Sequence, residues 1–159
     1  MKLGKLTDIE ALALLLEMAA PRYGGNMDGY LTDIGIVVGG LDATGIIPEQ
    51  IDSSNPLNQY CVSYDAFVPE TTGFLQELNP RNDNQVRHFL AGASGSNRGG
   101  VVAEAILLRR ERDTPEDYEL FEKSFEFVDF LYGMNHTHAG VGTTRLGSAG
   151  EWVRNNLAK

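Results

Sequence analysis

A single cysteine, Cys61, stands in the 159 residues, which excludes an intramolecular disulfide and any zinc site built from several thiolates. Basic residues are also scarce. Thirteen Lys and Arg against 22 Asp and Glu leave a formal charge of −9, which repels a nucleic-acid backbone rather than releasing its counterions. No apolar run approaches the ~20 residues needed to cross a bilayer. Lys2 and Lys5 precede the apolar run Ala11 to Leu16, but Asp8, Glu10 and Glu17 interrupt and bound it, so the stretch reads as a structural helix rather than a leader. These absences predict a soluble, cytoplasmic protein with neither a nucleic-acid nor a membrane partner. The acidic balance suits a basic protein partner, and it equally serves solubility alone.

What is present suffices for a core. A length of 159 residues with 42% hydrophobic content predicts one globular domain over residues 1–159. "LTDIEALALLLEMAAP" has Thr7 three residues before Glu10, a capping-box spacing, then Ile9, Leu12, Leu15, Leu16 and Ala19 at helical intervals up to Pro21. "RYGGNMDG" reads as a turn. "YLTDIGIVVGGL" places Leu31, Ile34, Val38 and Leu41 on one stripe, a buried helix packed through its glycines; a short strand over "IGIVVGG" stays open as the alternative.

From Asp42 to Pro80, four prolines punctuate a long irregular connection in which only "FLQEL" and "QYCVSYDAFV" have an ordered pattern. Helices resume at "NDNQVRHFLAGA", capped by Asn82 or Asp83, pause at "SGSNRGG", and restart with "VVAEAILLRRER". Thr114, Pro115, Glu116 and Asp117 form a helix start, since proline suits the first position and the dipole favours carboxylates there. That helix turns Leu120, Phe121, Phe125, Val128 and Leu131 inward until Gly133. A last helix, "TTRLGSAGEWVRNNL", buries Leu146, Trp152 or Val153, and Leu157. The expected fold is all-α, a compact bundle of about six helices around the irregular connection at residues 42–80.

Chemistry concentrates in "NDNQVRHFLAG". On a helix, Asn84 and His88 stand one turn apart with Gly92 one turn further, leaving open space above the imidazole. His88 lies at the border of the apolar face. There it is either a general base held by Asn84 or a histidine serving a helix contact. In "SGSNRGG", Arg98 beside small residues at a helix start could take an anion, although the spacing matches neither a P-loop nor a dinucleotide fingerprint. No cofactor is implied. Glu104 falls beside the stripe Val101, Ala105 and Leu108, either as a border ion pair or as a site carboxylate partnering His88 or Arg98. "NHTH" sets His136 and His138 at a spacing that could hold a metal on an extended loop, but zincin spacing is absent and no metal site is assigned. Cys61 reads as structural, because Asp65 nearby opposes thiolate formation.

"NQVRHFLAG" followed by "GGVVAEAILL" resembles small helical bacterial domains with an Asn-x-x-Arg-His signature, some of them linked to polymorphic toxins. The resemblance covers residues 82 to 111. It implies a shared cluster of Asn84, Arg87, His88 and Glu104, and no transferable activity.

Two functions follow. In the first, a small helical enzyme of hydrolase or lyase type uses His88 and Glu104 as acid and base, while Asn84, Arg87 and Arg98 hold a small polar or anionic substrate. In the second, an acidic inhibitor or immunity-type binder recognises a basic protein partner.

Overall fold

The Glu10 amide donates to Thr7 Oγ1 at 3.3 Å, and α1 (Asp8–Ala19) starts where the capping spacing predicts. The structure, a computed structural model, describes residues 6–52, 54–61, 85–110, 112, 114–133 and 145–158. Ile9, Leu12, Ala13 and Leu16 of α1 are buried. Leu15 is exposed, so the buried face is narrower than the apolar run.

The turn expected at "RYGGNMDG" ends early. Asn26 caps α2 (Met27–Ile34) by accepting from the Gly29 amide at 3.1 Å. The helical reading of "IGIVVGG" holds over the strand: Gly35–Gly39 continue as a wide π turn, which Gly40 closes at φ 60°. Glycine serves packing here, because a Cβ on Gly35 would stand 3.3 Å from Ala43 Cβ and 3.5 Å from Ser94 Oγ.

The irregular connection is ordered at its start. Strands β1 (Leu41–Asp42) and β2 (Glu49–Gln50) pair antiparallel with Leu41 opposite Gln50. The Thr44 amide and hydroxyl donate to Asp42 Oδ1 and shape the intervening loop. Asn55 caps a short 3-10 helix at Pro56–Tyr60. The "FLQEL" expectation lies outside the described residues.

The expected pause at residues 94–100 is concentrated in one residue. α3 (Gln85–Arg110) stays helical through Arg98 and breaks at Gly100, with φ 51° and ψ −143°. There the chain folds back: a Cβ on Gly95 would stand 2.8 Å from Leu107 Cδ1, whereas a straight helix would separate residues 95 and 107 by about 18 Å. The turn also resets the rotation of the second half. Ala103 and Leu107 are buried while Val101 is 65% and Val102 63% exposed, so the stripe expected on Val101, Ala105 and Leu108 is corrected by about half a turn.

α4 (Pro115–Tyr132) has Thr114 as N-cap, Pro115 in its first turn and Gly133 closing it at φ 70°, as the sequence predicts. Its inward residues are all buried. Contacts climb together along α4 and the first half of α3: His88 meets Asp117, Gly92 faces Phe121 and Ser124, and Tyr132 Oη donates to Asn97 Oδ1 at 2.6 Å. The two segments therefore run in the same direction, and the returning half of α3 brings Leu107 to Phe121 and Phe125.

α5 (Ala149–Leu157) follows a short 3-10 turn at Leu146–Ser148. Gly150 lets it approach the backbone of α1 at Ala13, and Arg154 spans to Glu10 Oε2 at 3.0 Å and to Glu17. Leu12, Leu16, Tyr30, Phe89, Phe127, Leu131 and Val153 are fully enclosed between these elements, and Trp152 lies against Phe89 and Phe127. Each such apolar side chain contributes about 1.5–3 kcal/mol on leaving water. The fold is all-α apart from the small hairpin. Five α-helices stand among the described residues where about six were expected, because two expected helices are the halves of α3. None of the described helices is long and apolar enough to cross a membrane.

Candidate functional site

His88 and Asp117 are brought together by the first turns of two helices. His88 is the fourth residue of α3, and Asp117 stands third in α4, where Thr114 and Pro115 set the start. Nδ1 of His88 lies 3.3 Å from Oδ1 of Asp117, with the imidazole 18% and the carboxylate 3% exposed. The Phe121 ring lies stacked beside the imidazole at 6.2 Å between centroids. Gln85, itself buried, donates from Nε2 to Asp117 Oδ1 at 3.4 Å. The Asp117 carboxylate thus has the imidazole of one α3 residue beside it and accepts from the amide of another, and the amide offsets part of its desolvation.

The open space expected above Gly92 is filled. A Cβ there would collide with Ser124 Oγ and stand 2.6 Å from Phe121 Cδ1, so this glycine serves close helix approach rather than access.

The predicted cluster divides. Asn84, His136 and His138 lie outside the described residues, and no group of three metal-binding side chains occurs among the described ones. Arg87 is half-buried beside His88 in sequence. Glu104 meets neither His88 nor Arg98 in this arrangement: it accepts from Ser96 Oγ at 2.6 Å, on the returning half of α3. Cys61 is half-buried, its thiol 3.7 Å from the Leu57 carbonyl oxygen.

Arg98 stands about 15 Å along the helix from His88 by helical rise. It is engaged there. Nε lies 2.8 Å from Asp28 Oδ1, Nη2 donates to Asp28 Oδ2 at 2.9 Å and to Thr32 Oγ1 at 3.0 Å, and Nη1 donates to the Thr44 carbonyl. The helix start expected at "SGSNRGG" is corrected: these residues form the last turns of a helix's first half, and the Arg98 guanidinium faces the Asp28 carboxylate. Asn97 Nδ2 donates to Asp28 Oδ1 at 3.4 Å. Burial, followed by the charge of Asp28, raises the Tyr132 hydroxyl above its ordinary pKa and keeps it protonated. These groups line an open groove of about 450 Å³ with Thr44 and Ile46.

Sequence reasoning passed over Asp117 as a dipole residue and did not single out Asp28, Asn97 or Tyr132. A carboxylate at the third position of a helix carries no mark of what will cross it. "SGSNRGG" did mark Arg98 and its neighbourhood, by composition alone. Among known proteins, no family model, curated protein or solved structure matches this chain.

Proposed function

We propose that the chain is a small helical enzyme of hydrolase or lyase type that moves a proton through His88, oriented by Asp117. The observation that carries this reading is the 3.3 Å approach of His88 Nδ1 to a carboxylate only 3% exposed, with the imidazole itself partly open to solvent. A carboxylate beside Nδ1 favours the tautomer with its proton there and leaves Nε2 the basic nitrogen. When Nε2 takes a proton from water or from a carbon acid, Asp117 stabilises the imidazolium without being protonated itself. The Phe121 ring lies alongside the imidazole, and Gln85 holds Asp117 from the helix that carries His88. Arg87, and Asn84 by its place in the sequence alone, are the residues we assign to a small polar or anionic substrate, and Glu104 and Arg98 take no part in the proton transfer. With one cysteine in the chain, we place the reaction in a reducing compartment, the cytoplasm.

The test is turnover of chromogenic esters, phosphomonoesters, glycosides and a β-elimination substrate by the wild-type chain, by His88→Gln and by Asp117→Asn. The reading expects one class to be turned over, with His88→Gln lowering kcat by about 10²–10⁴. Asp117→Asn lowers kcat with little change in KM and alters the acidic limb of the pH profile. Equal rates in wild type and His88→Gln across the panel would sink it.

A second reading, an acidic binder of a basic protein, draws support from Val101, Val102 and Ile106, exposed at 65%, 63% and 40% on one face of α3. Under that reading, His88→Gln leaves binding unchanged while Val102→Asp weakens it.

A further inference from the structure

We propose that the groove between the Thr44–Ile46 loop, α2, the first half of α3 and the end of α4 binds a neutral, hydroxyl-rich ligand, a small sugar or polyol. The inference is independent of proton transfer at His88. It rests on how the groove's charges are already spent.

At about 450 Å³, the groove falls within the usual range of small-molecule sites. Arg98 would ordinarily direct it toward a phosphate or carboxylate. Here its Nε and Nη2 form a two-point fork on Asp28, at 2.8 and 2.9 Å, and its remaining partners are Thr32 Oγ1 and the Thr44 carbonyl. Three of its five N–H groups therefore have hydrogen-bond acceptors, and Nε lies within ion-pair distance of the Asp28 carboxylate. An anion would have to open that fork and would leave Asp28 facing it with like charge. A cation drawn to Asp28 would meet the guanidinium in the same way. A neutral ligand requires neither rearrangement.

The other polar groups have fixed directions. Tyr132 Oη donates to Asn97 Oδ1 at 2.6 Å, and Asn97 Nδ2 donates to Asp28 Oδ1 at 3.4 Å, a relay of donors that ends on the carboxylate. The Asp28 side chain is 56% exposed and lines the groove, and a carboxylate has more lone pairs than these contacts use. The remaining carboxylate lone pairs and the second N–H of Asn97 Nδ2 and of Arg98 Nη1 match vicinal hydroxyls, each of which both donates and accepts. Ile46, 58% exposed, and the Tyr132 ring supply apolar surface for the C–H face of such a ligand.

The groove is also preformed. Arg98 ties the loop carbonyl of Thr44, and Ile46 sits directly over Gly99, where a Cβ would come within 2.6 Å of Ala103 Cβ and would strike Ile46 at closer range still in the case of its Cγ2, at 2.5 Å. A loop held in this way loses little further entropy on binding.

The experiment is amide chemical-shift titration of the full chain with glucose, N-acetylglucosamine, ribose and sorbitol, with inorganic phosphate and glycine as the charged and dipolar comparators. The expected result is saturable shifts at Thr44, Gly45, Ile46, Asn97 and Arg98 from at least one neutral compound and from neither comparator. Asn97→Ala and Tyr132→Phe should each weaken that binding about fivefold, the loss of about one hydrogen bond, with spectra otherwise retained. Three results overturn the proposal: phosphate or glycine shifting these amides in place of the neutral compounds, no shift from any of the four, or neutral binding unaffected in both variants.

Discussion

Ser96 Oγ donates a 2.6 Å hydrogen bond to Glu104 across the turn at Gly100. This single contact separates two residues that the sequence grouped together, because it places Glu104 on a returning helix, bonded to a serine that is 1% exposed, and away from the imidazole of His88. The turn that makes it possible depends on one glycine, since φ 51° with ψ −143° is a region that side chains with a Cβ rarely enter.

Gly100→Ala should therefore destabilise the fold by about 1–3 kcal/mol, the usual cost of a residue forced into such a region. A lower urea midpoint with an unchanged m-value would show it. An unchanged midpoint would mean that the fold-back tolerates another backbone geometry.

Gly92→Ala tests the close approach of α3 and α4. The added methyl meets Ser124 Oγ and the edge of Phe121, and overpacking of this kind costs about 1–3 kcal/mol. Ser124→Gly in the same chain should recover part of the loss, which a double-mutant cycle on thermal or urea unfolding would measure as coupling between the two sites.

Asp117→Ala should cost more than a surface carboxylate would. Asp117 is 3% exposed, accepts from the buried Gln85 amide and lies 3.3 Å from His88 Nδ1, so its removal strands a buried donor at a cost of about 1–3 kcal/mol. Glu116→Ala, on the preceding position of the same turn, should cost under about 1 kcal/mol. Equal effects of the two substitutions would contradict a buried role for Asp117.

Asp8 gives stability a pH dependence of definite sign. Burial raises its carboxyl from 3.8 to about 6, so between those values the folded chain holds a proton that the unfolded chain has released. Stability from this group is present at low pH and falls as pH rises through about 6, after which the penalty is constant. Asp8→Asn removes the penalty. Relative to wild type it should gain about 1 kcal/mol above that window, once the dipole of α1 and solvent screening at the helix end are discounted, and nothing near pH 3.5. Urea midpoints of both proteins at pH 3.5 and 7.5 decide it.

Local chemistry made most of the elements legible. Thr7 before Glu10, Thr114 before Pro115, and Gly133 after the aromatic run mark helix ends through backbone groups within a few residues, and the structure has its boundaries there. The period of Leu120, Phe121, Phe125, Val128 and Leu131 likewise marks the buried face of α4. "SGSNRGG" was harder to read, because small polar residues and glycines suit a loop, yet they also suit a helix pressed closely against others. Tertiary packing supplied the missing preference: Gly95 lies against Leu107, and Ser94 Oγ donates to the Leu31 carbonyl at 3.5 Å.

The sequence by itself determined the all-α class, the helix starts and stops, and His88 as a residue at the edge of an apolar face, since each depends on spacing along one segment. Only the tertiary structure decided what meets His88 and what meets Arg98. Asp117, marked locally only as a dipole residue, and Asp28, marked by no local pattern, are distant in the chain from His88 and Arg98, and they become their partners because the first half of α3 runs alongside α4 in the same direction and packs against α2. Which charges neutralise one another depends on distances between segments, and a linear pattern carries no information about those until the segments pack.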